Sequence, residues 1–244
     1  MAIAAWKRLE KTPGYQRKKL FFKRLVGKEL RLKPEVRLNA VKDGGWWFHP
    51  DVLDGNSIVY SLGIGEDVEF DVALIERFGL QVHAFDPTPS SVAWLAARSM
   101  PPNFHFHPWA VTAADGVLKL FPRIKRDGSK STVMYTMVAD GRMPEDAILA
   151  PAFSLTSILA ELGHDRIDLL KMDIEGAEYE VLDSLLQSKV KPEQLLVEFH
   201  HRFAGIGPGK TAAMIARLRD CGYRIFAISE TGRELSFIRS GGGR

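Results

Sequence analysis

The sequence predicts an α/β fold of the nucleotide-binding kind, and three stretches carry that expectation. Between Ser57 and Pro89 a short apolar run, Ile58-Val59-Tyr60, meets two glycines, Gly63 and Gly65. A helix pattern built on Phe70, Val72, Ala73, Leu74, Ile75 and Phe78 then stops at Gly79. A second apolar run, Val82 to Phe85, ends on Asp86-Pro87. Strand, glycine turn, helix, strand and carboxylate make the first half of a doubly wound unit. A second buried strand from Ile167 ends in Asp173 and Glu175 at a glycine-marked turn into another helix. Last, Tyr223–Ile228 and Leu235–Arg239 read as strands joined at Glu230-Thr231-Gly232, a closing antiparallel hairpin.

Taken in order, the chain begins with a basic extension. Up to Lys33 eleven Lys and Arg stand against Glu10 and Glu29, interleaved with Trp6, Leu9, Tyr15, Leu20, Phe21, Phe22, Leu25, Val26 and Leu30. This predicts one or two amphipathic helices broken at Pro13-Gly14. Their apolar side either caps the main body or, with the cations, meets an anionic membrane face, glycan or lipid. Pro34 to Lys42 is a strand or a connection. Gly44-Gly45 then turns into the aromatic run Trp46-Trp47-Phe48, a hairpin packed on the domain rather than a pocket wall.

After Asp86, Ser90 to Arg98 forms a helix with Ser90 as its cap, ended by Met100-Pro101-Pro102. Asn103 to Val111 alternates as a strand, with His105 and His107 on one face. Two such histidines suit either a metal pair or a plain surface. Asp115-Gly116 turns into Val117–Phe121, a hairpin partner for that strand. Pro122 to Pro151 is weakly periodic and predicts a long loop, a lid or an excursion; its Gly128-Ser129-Lys130-Ser131 lacks the spacing of a phosphate loop. A helix over Phe153–Leu162 has Ser154 or Thr156 as cap. Gln194 to Phe199 is a strand delivering Glu198, His200 and His201 to the edge where Asp173 ends. Thr211 to Cys221 is an amphipathic helix.

At 244 residues the chain suits one domain with an N-terminal extension, divided as 1–45 and 46–240. A net charge of +3 does not mark a nucleic-acid binder, and no nucleic-acid motif accompanies the basic residues. One cysteine, Cys221, excludes an internal disulfide or a cysteine-based metal site and fits a reducing compartment. There is no signal-peptide pattern and no apolar run long enough to span a bilayer. The expected location is cytoplasmic, with peripheral membrane contact through residues 1–33 as an option.

The residue types point to a site. Gly63 and Gly65 let a ligand lie against main-chain N–H groups, the following helix aims its unpaired N–H groups there, and Asp86 stands where a carboxylate accepts two ribose hydroxyls. Trp109 and Ala110 lie near the end of the third strand, where Trp109 either flanks an adenine ring or packs in the core. Asp173, Glu175, Glu198 and His200 are too polar to sit unpaired in a core. They either bridge to Lys171 or Arg202, or bind a cation, bind a polar substrate or take a proton.

The three blocks SLGIGEDVEFD, HAFDPTP and KMDIEGAE, in that order, resemble the FkbM-type methyltransferase family. The likeness runs from about Trp46 to the C-terminus. It implies a class I methyltransferase sheet: Rossmann-like, mostly parallel, with helices on both faces and a terminal antiparallel hairpin. It implies S-adenosylmethionine as cofactor and O-methylation of a sugar, glycan or natural-product hydroxyl. Gly63 and Gly65 would face its methionine part, Asp86 its ribose, Trp109 and Ala110 its adenine. Asp173 and Glu175 would face the methionine amine or the acceptor. Where such enzymes often carry an acid two residues before the first glycine, this chain has Ser61, so Glu66 or Asp67 is assigned the ammonium. His200 is the first candidate for general base because an imidazole titrates near working pH, followed by Glu198 and Asp173. A divalent cation on Asp173, Glu198 and a histidine is a less favoured alternative. The rival readings are an NAD(P)-binding oxidoreductase, weakened by Val68 at the third fingerprint position, and a non-catalytic membrane-docked module.

Overall fold

In the computed structural model the described residues are 12–124, 130–136, 147–203 and 205–240. Thr12 caps α1, Pro13–Leu25, whose Pro13 occupies the first turn. The expected break at Pro13-Gly14 is therefore a helix start, because a proline at that position has no N–H to lose; residues 1–11 lie outside the described residues. The hairpin β1 (Val41–Asp43) and β2 (Trp46–Phe48) forms as expected. Its Phe48 packs edge-on against Phe70 and Phe78.

The central sheet follows from β3 (Ile58–Leu62), α2 (Glu69–Phe78), β4 (Gln81–Phe85), α3 (Pro89–Ala96) and β5 (Phe104–His107). It is completed by β10 (Leu169–Met172), α5 (Glu178–Gln187), β11 (Gln194–Glu198), α6 (Gly207–Asp220), β12 (Tyr223–Ile228) and β13 (Glu234–Arg239). Between the halves lie β6 (Ala110–Val111), β7 (Gly116–Ile124), β8 (Lys130–Thr136), β9 (Ile148–Phe153) and α4 (Leu155–Leu162). The sheet order is β12-β13-β11-β10-β3-β4-β5. Only β13 runs against its neighbours, so the last hairpin inserts its second strand beside β11.

Side-chain alternation loads both faces. Tyr60, Leu170 and Leu195 point to one side with α4, α5 and α6; Val59, Leu169 and Leu196 point to the other with α2, α3 and Phe48. The sheet is thus a mostly parallel one buried on both faces. The parallel strands β3, β4, β5, β10 and β11 deliver their carboxyl ends to the same edge.

Local expectations fail where pairing is non-local. Asn103–Val111 is two strands, because Pro108 interrupts the ladder and the Trp109 N–H turns back onto His107 O at 2.8 Å. Val117–Phe121 does not pair with that segment. It lies in β7, antiparallel to β9 from Gly116↔Ala152 to Leu120↔Ile148, and β7 also pairs with β8. The expected long loop is therefore largely a second sheet, ordered β6-β9-β7-β8; residues 125–129 and 137–146, including Gly128 and Ser129, lie outside the described residues. Phe153 closes β9, and Ser154 caps α4 by accepting from the Ser157 N–H. Thr88, not Ser90, is the cap position of α3, since Pro89 fits the first helical residue.

Candidate functional site

At the carboxyl edge of β3 the chain turns through Gly63 and Gly65, both with positive φ, +74° and +55°. A Cβ on Gly63 would lie 1.9 Å from the Asp173 carbonyl oxygen, so the ends of β3 and β10 meet only because that position is glycine. A Cβ on Gly65 would meet nothing within 4 Å; it faces open space. Buried Asp86 ties the loop from the next strand. Its Oδ2 accepts from the Gly65 N–H at 2.9 Å, and its Oδ1 accepts from the Thr88 N–H at 2.9 Å and the Thr88 hydroxyl at 2.6 Å.

These groups line a cleft of about 190 Å³ together with Trp109, Ala110, Asp173 and Glu175. Trp109 is held between two tilted rings, 4.8 Å from His107 and 5.0 Å from Phe153 between ring centroids. The inserted sheet supplies a further wall, Leu118 and Leu120 from β7 and Tyr135 from β8.

Beside the cleft, the β10–α5 turn and the end of β11 assemble four carboxylates round one imidazole. His200 Nδ1 lies 2.8 Å from Glu178 Oε1; its Nε2 lies 3.6 Å from Asp173, 3.6 Å from Glu175 and 3.8 Å from Glu198. Glu178, fully buried, also accepts from the N–H groups of Ile174 and Gly176 at 3.1 Å, so it shapes the turn as well as the imidazole. Glu175 takes a positive φ of 53° there. Burial pulls the His200 pKa down, but the hydrogen bond and charge of Glu178, with Asp173 and Glu175, outweigh it and raise it to about 9. Burial and the neighbouring acids push Glu198 up to about 8, and burial raises Asp173 against the pull of His200. These directions favour the charged form of His200, held by Glu178, with Asp173 beside it. Asp173, Glu178 and His200 also have donor atoms within 4.8 Å of one another, the spacing of a cation site.

The sequence profile described as the methyltransferase FkbM domain matches residues 49–225. The chain belongs to the FkbM methyltransferase family. It is 27% identical over 191 residues to the probable methyltransferase-like protein 24 of Homo sapiens, covering 73% of this chain and 43% of that protein. The Rattus norvegicus counterpart gives 27% identity over 191 residues, covering 73% and 44%. The chain thus spans less than half the length of these curated relatives. Among solved structures it is similar to the methyltransferase FkbM of Methylobacillus flagellatus KT, with 13% identity, a TM-score of 0.46, and coverage of 76% of this chain and 44% of that one.

Within this FkbM chain the structure brings Gly63, Gly65, Asp86, Trp109, Ala110, Asp173 and Glu175 to one cleft, with Glu198 and His200 at its side. Asp67 is not among them. Its carboxylate turns to the start of α2, accepting from the Glu69 N–H at 2.9 Å, and it lines a separate depression with Glu66 and Trp94. Ser61 accepts from buried Lys171 Nζ at 3.2 Å, and Lys171 also lies 5.3 Å from the Trp46 ring. His201 turns away to Glu29, at 2.5 Å. The residues that sequence reasoning missed are Glu178, signalled only as an acid in the first turn of α5, and the roof Leu118, Leu120 and Tyr135.

FkbM membership implies S-adenosylmethionine, and the cleft fits such a group. Gly65 leaves room where a side chain would intrude, Asp86 lies at its floor, and Trp109 offers a ring face. No helix among the described residues is long and apolar enough to cross a membrane.

Proposed function

We propose that the chain is an S-adenosylmethionine-dependent O-methyltransferase acting on a hydroxyl of a sugar, glycan or small natural product. The observation that carries this reading is the position of Asp173. It lines the cleft with Gly63, Gly65 and Asp86, and it lies 3.6 Å from His200 Nε2 in the rim of carboxylates round that imidazole. Bound S-adenosylmethionine would supply an electrophilic methyl on a sulfonium.

The chain's own groups do the rest. Gly63 and Gly65 offer main-chain surface, Asp86 and Trp109 fix the nucleoside end, and Leu118, Leu120 and Tyr135 exclude water. Alignment of this kind supplies much of the rate in a displacement. Asp173 takes the hydroxyl proton. Its raised pKa makes it a stronger base than an exposed carboxylate, and the adjacent His200 imidazolium balances the rim's negative charge. The nearest rival, a nicotinamide-dependent oxidoreductase, has no support in the family match.

The test is Asp173→Asn in the full chain, with S-adenosylhomocysteine formation followed over a panel of glycosyl acceptors. Turnover should fall about 100- to 10,000-fold, by far more than cofactor affinity measured by calorimetry falls. Turnover at the parent rate removes Asp173 as the base. A parent chain indifferent to S-adenosylmethionine removes the whole reading.

A further inference from the structure

A second pocket, of about 220 Å³, opens at the same edge of the sheet, and none of the groups above uses it. Three elements line it: α1 through Gln16, Lys19, Leu20 and Lys23, the segment after β11 through Arg202, and the β12–β13 turn through Thr231 and Arg233. Four of its seven lining side chains are cations and none is a carboxylate.

The pocket is built, not incidental. Buried Leu20 seats α1 on the turn at Gly232, whose φ is +77° and where a Cβ would lie 2.7 Å from Leu20 Cδ1. Arg202 is fixed by its Nε and Nη2 on buried Glu29 and by Nη2 on Thr231 O at 2.9 Å. Arg233 Nη1 reaches Glu198 Oε1 at 2.5 Å, and Glu198 is itself a member of the catalytic rim. Arg233 Nε is buried with no hydrogen-bond partner among the described residues. Glu29 offsets Arg202, and Glu198 with Glu234, at 3.7 Å, offsets Arg233. Lys19 and Lys23 have no ion-pair partner among the described residues, so the pocket keeps a net positive charge. Burial, and then the charge of Arg202, pull the Lys23 pKa down, as cations gathered without enough anions require.

We infer that this pocket binds a phosphate-class anion carried by the methyl acceptor, so that the basic segment selects acceptors bearing a phosphate ester beside the hydroxyl to be methylated. The inference deepens the methyltransferase reading and rests on it. An Arg pair with two lysines suits a doubly charged oxyanion, since guanidinium and ammonium donors form short charge-assisted bonds to phosphate. Arg233 spans both sites. An anion in the pocket therefore stands one side chain away from the rim where the proton is taken. A soluble glycosyl phosphate and a lipid-linked headgroup present the same chemistry.

Calorimetry on the full chain tests the pocket with inorganic pyrophosphate and with glucose 1-phosphate, against glucose. A second arm measures co-sedimentation with phosphatidylglycerol and phosphatidylcholine vesicles, with and without pyrophosphate. The parent should bind pyrophosphate. Lys19→Ala with Lys23→Ala should weaken it at least tenfold, Lys23→Arg should restore it, and S-adenosylmethionine affinity should not change. Binding of glucose 1-phosphate but not glucose assigns a soluble phosphate ester. Vesicle binding that pyrophosphate displaces and the double variant loses assigns a lipid headgroup. No binding of any anion, or equal binding by the double variant, overturns the inference. Loss of cofactor binding by the parent instead strikes the methyltransferase reading and leaves the anion result standing.

Discussion

Replacing Glu178 by Gln isolates the electrostatics of the rim. Glu178 is fully buried and holds His200 through a 2.8 Å contact, and it contributes the two largest upward pulls on that imidazole. His200 rises from 6.5 to about 9; at 1.36 kcal/mol per unit this is about 3 kcal/mol favouring the charged form. Removing the Glu178 charge leaves burial, which acts downward, against the weaker pull of Asp173 and Glu175, so the variant's His200 pKa should fall well below the parent's. Gln keeps a carbonyl oxygen for the N–H groups of Ile174 and Gly176, so the turn should survive. A raised imidazole pKa gives stability that is complete below 6.5 and lost as pH rises through about 9. Glu178→Gln should therefore cost up to about 3 kcal/mol at pH 6 and much less near pH 9.5. The assays are NMR titration of the His200 ring and urea unfolding at the two pH values. The reasoning is refuted if the parent His200 titrates below 7, if the variant still titrates near 9, or if the stability deficit is equal at both pH values.

Other outcomes follow from the same geometry. Gly63→Ala should cost about 3 kcal/mol or more, since its methyl overlaps the Asp173 carbonyl. Gly65→Ala should cost only about 1–2 kcal/mol for its left-handed backbone while lowering cofactor affinity at least tenfold; equal melting losses for the two variants would contradict the close approach at Gly63. Burial, and then the like charges of His164, His105 and His107 near His83, depress its pKa from 6.5 to about 3. Its share of stability is present above 6.5 and lost as pH falls from 6.5 toward about 3. His83→Phe should then remove about 2 kcal/mol of the fall between pH 6.5 and pH 5, read from denaturant melts. Exhaustive chelation should leave methyl transfer unchanged. A loss restored by added Mg²⁺ would make Asp173, Glu178 and His200 a cation site.

Periodicity, glycine positions and caps are local properties, and the sequence alone determined what depends on them. The strand–turn–helix–strand unit around Gly63 and Asp86 was legible because Gly63 and Gly65 need positive φ and Gly79 closes α2 in the left-handed region. The last hairpin was legible from two apolar runs about a short turn, and the aromatic hairpin at Trp46 likewise. Tertiary structure alone decided matters set by partners distant in the chain. Val117–Phe121 alternates equally well beside any strand, and only the assembled sheet places it on β9 and over the cleft. Asp67 and Asp86 are both acids near the glycine turn; Asp86 reaches the cleft because parallel pairing brings the end of β4 beside β3, while Asp67 is held by its own helix. His200 has an ordinary imidazole's chemistry in the sequence. Its pKa is raised by Glu178 on α5 and by Asp173 and Glu175 after β10, which it meets only when the sheet forms, because electrostatic coupling depends on separation in space and on burial, and neither is written in a one-dimensional order.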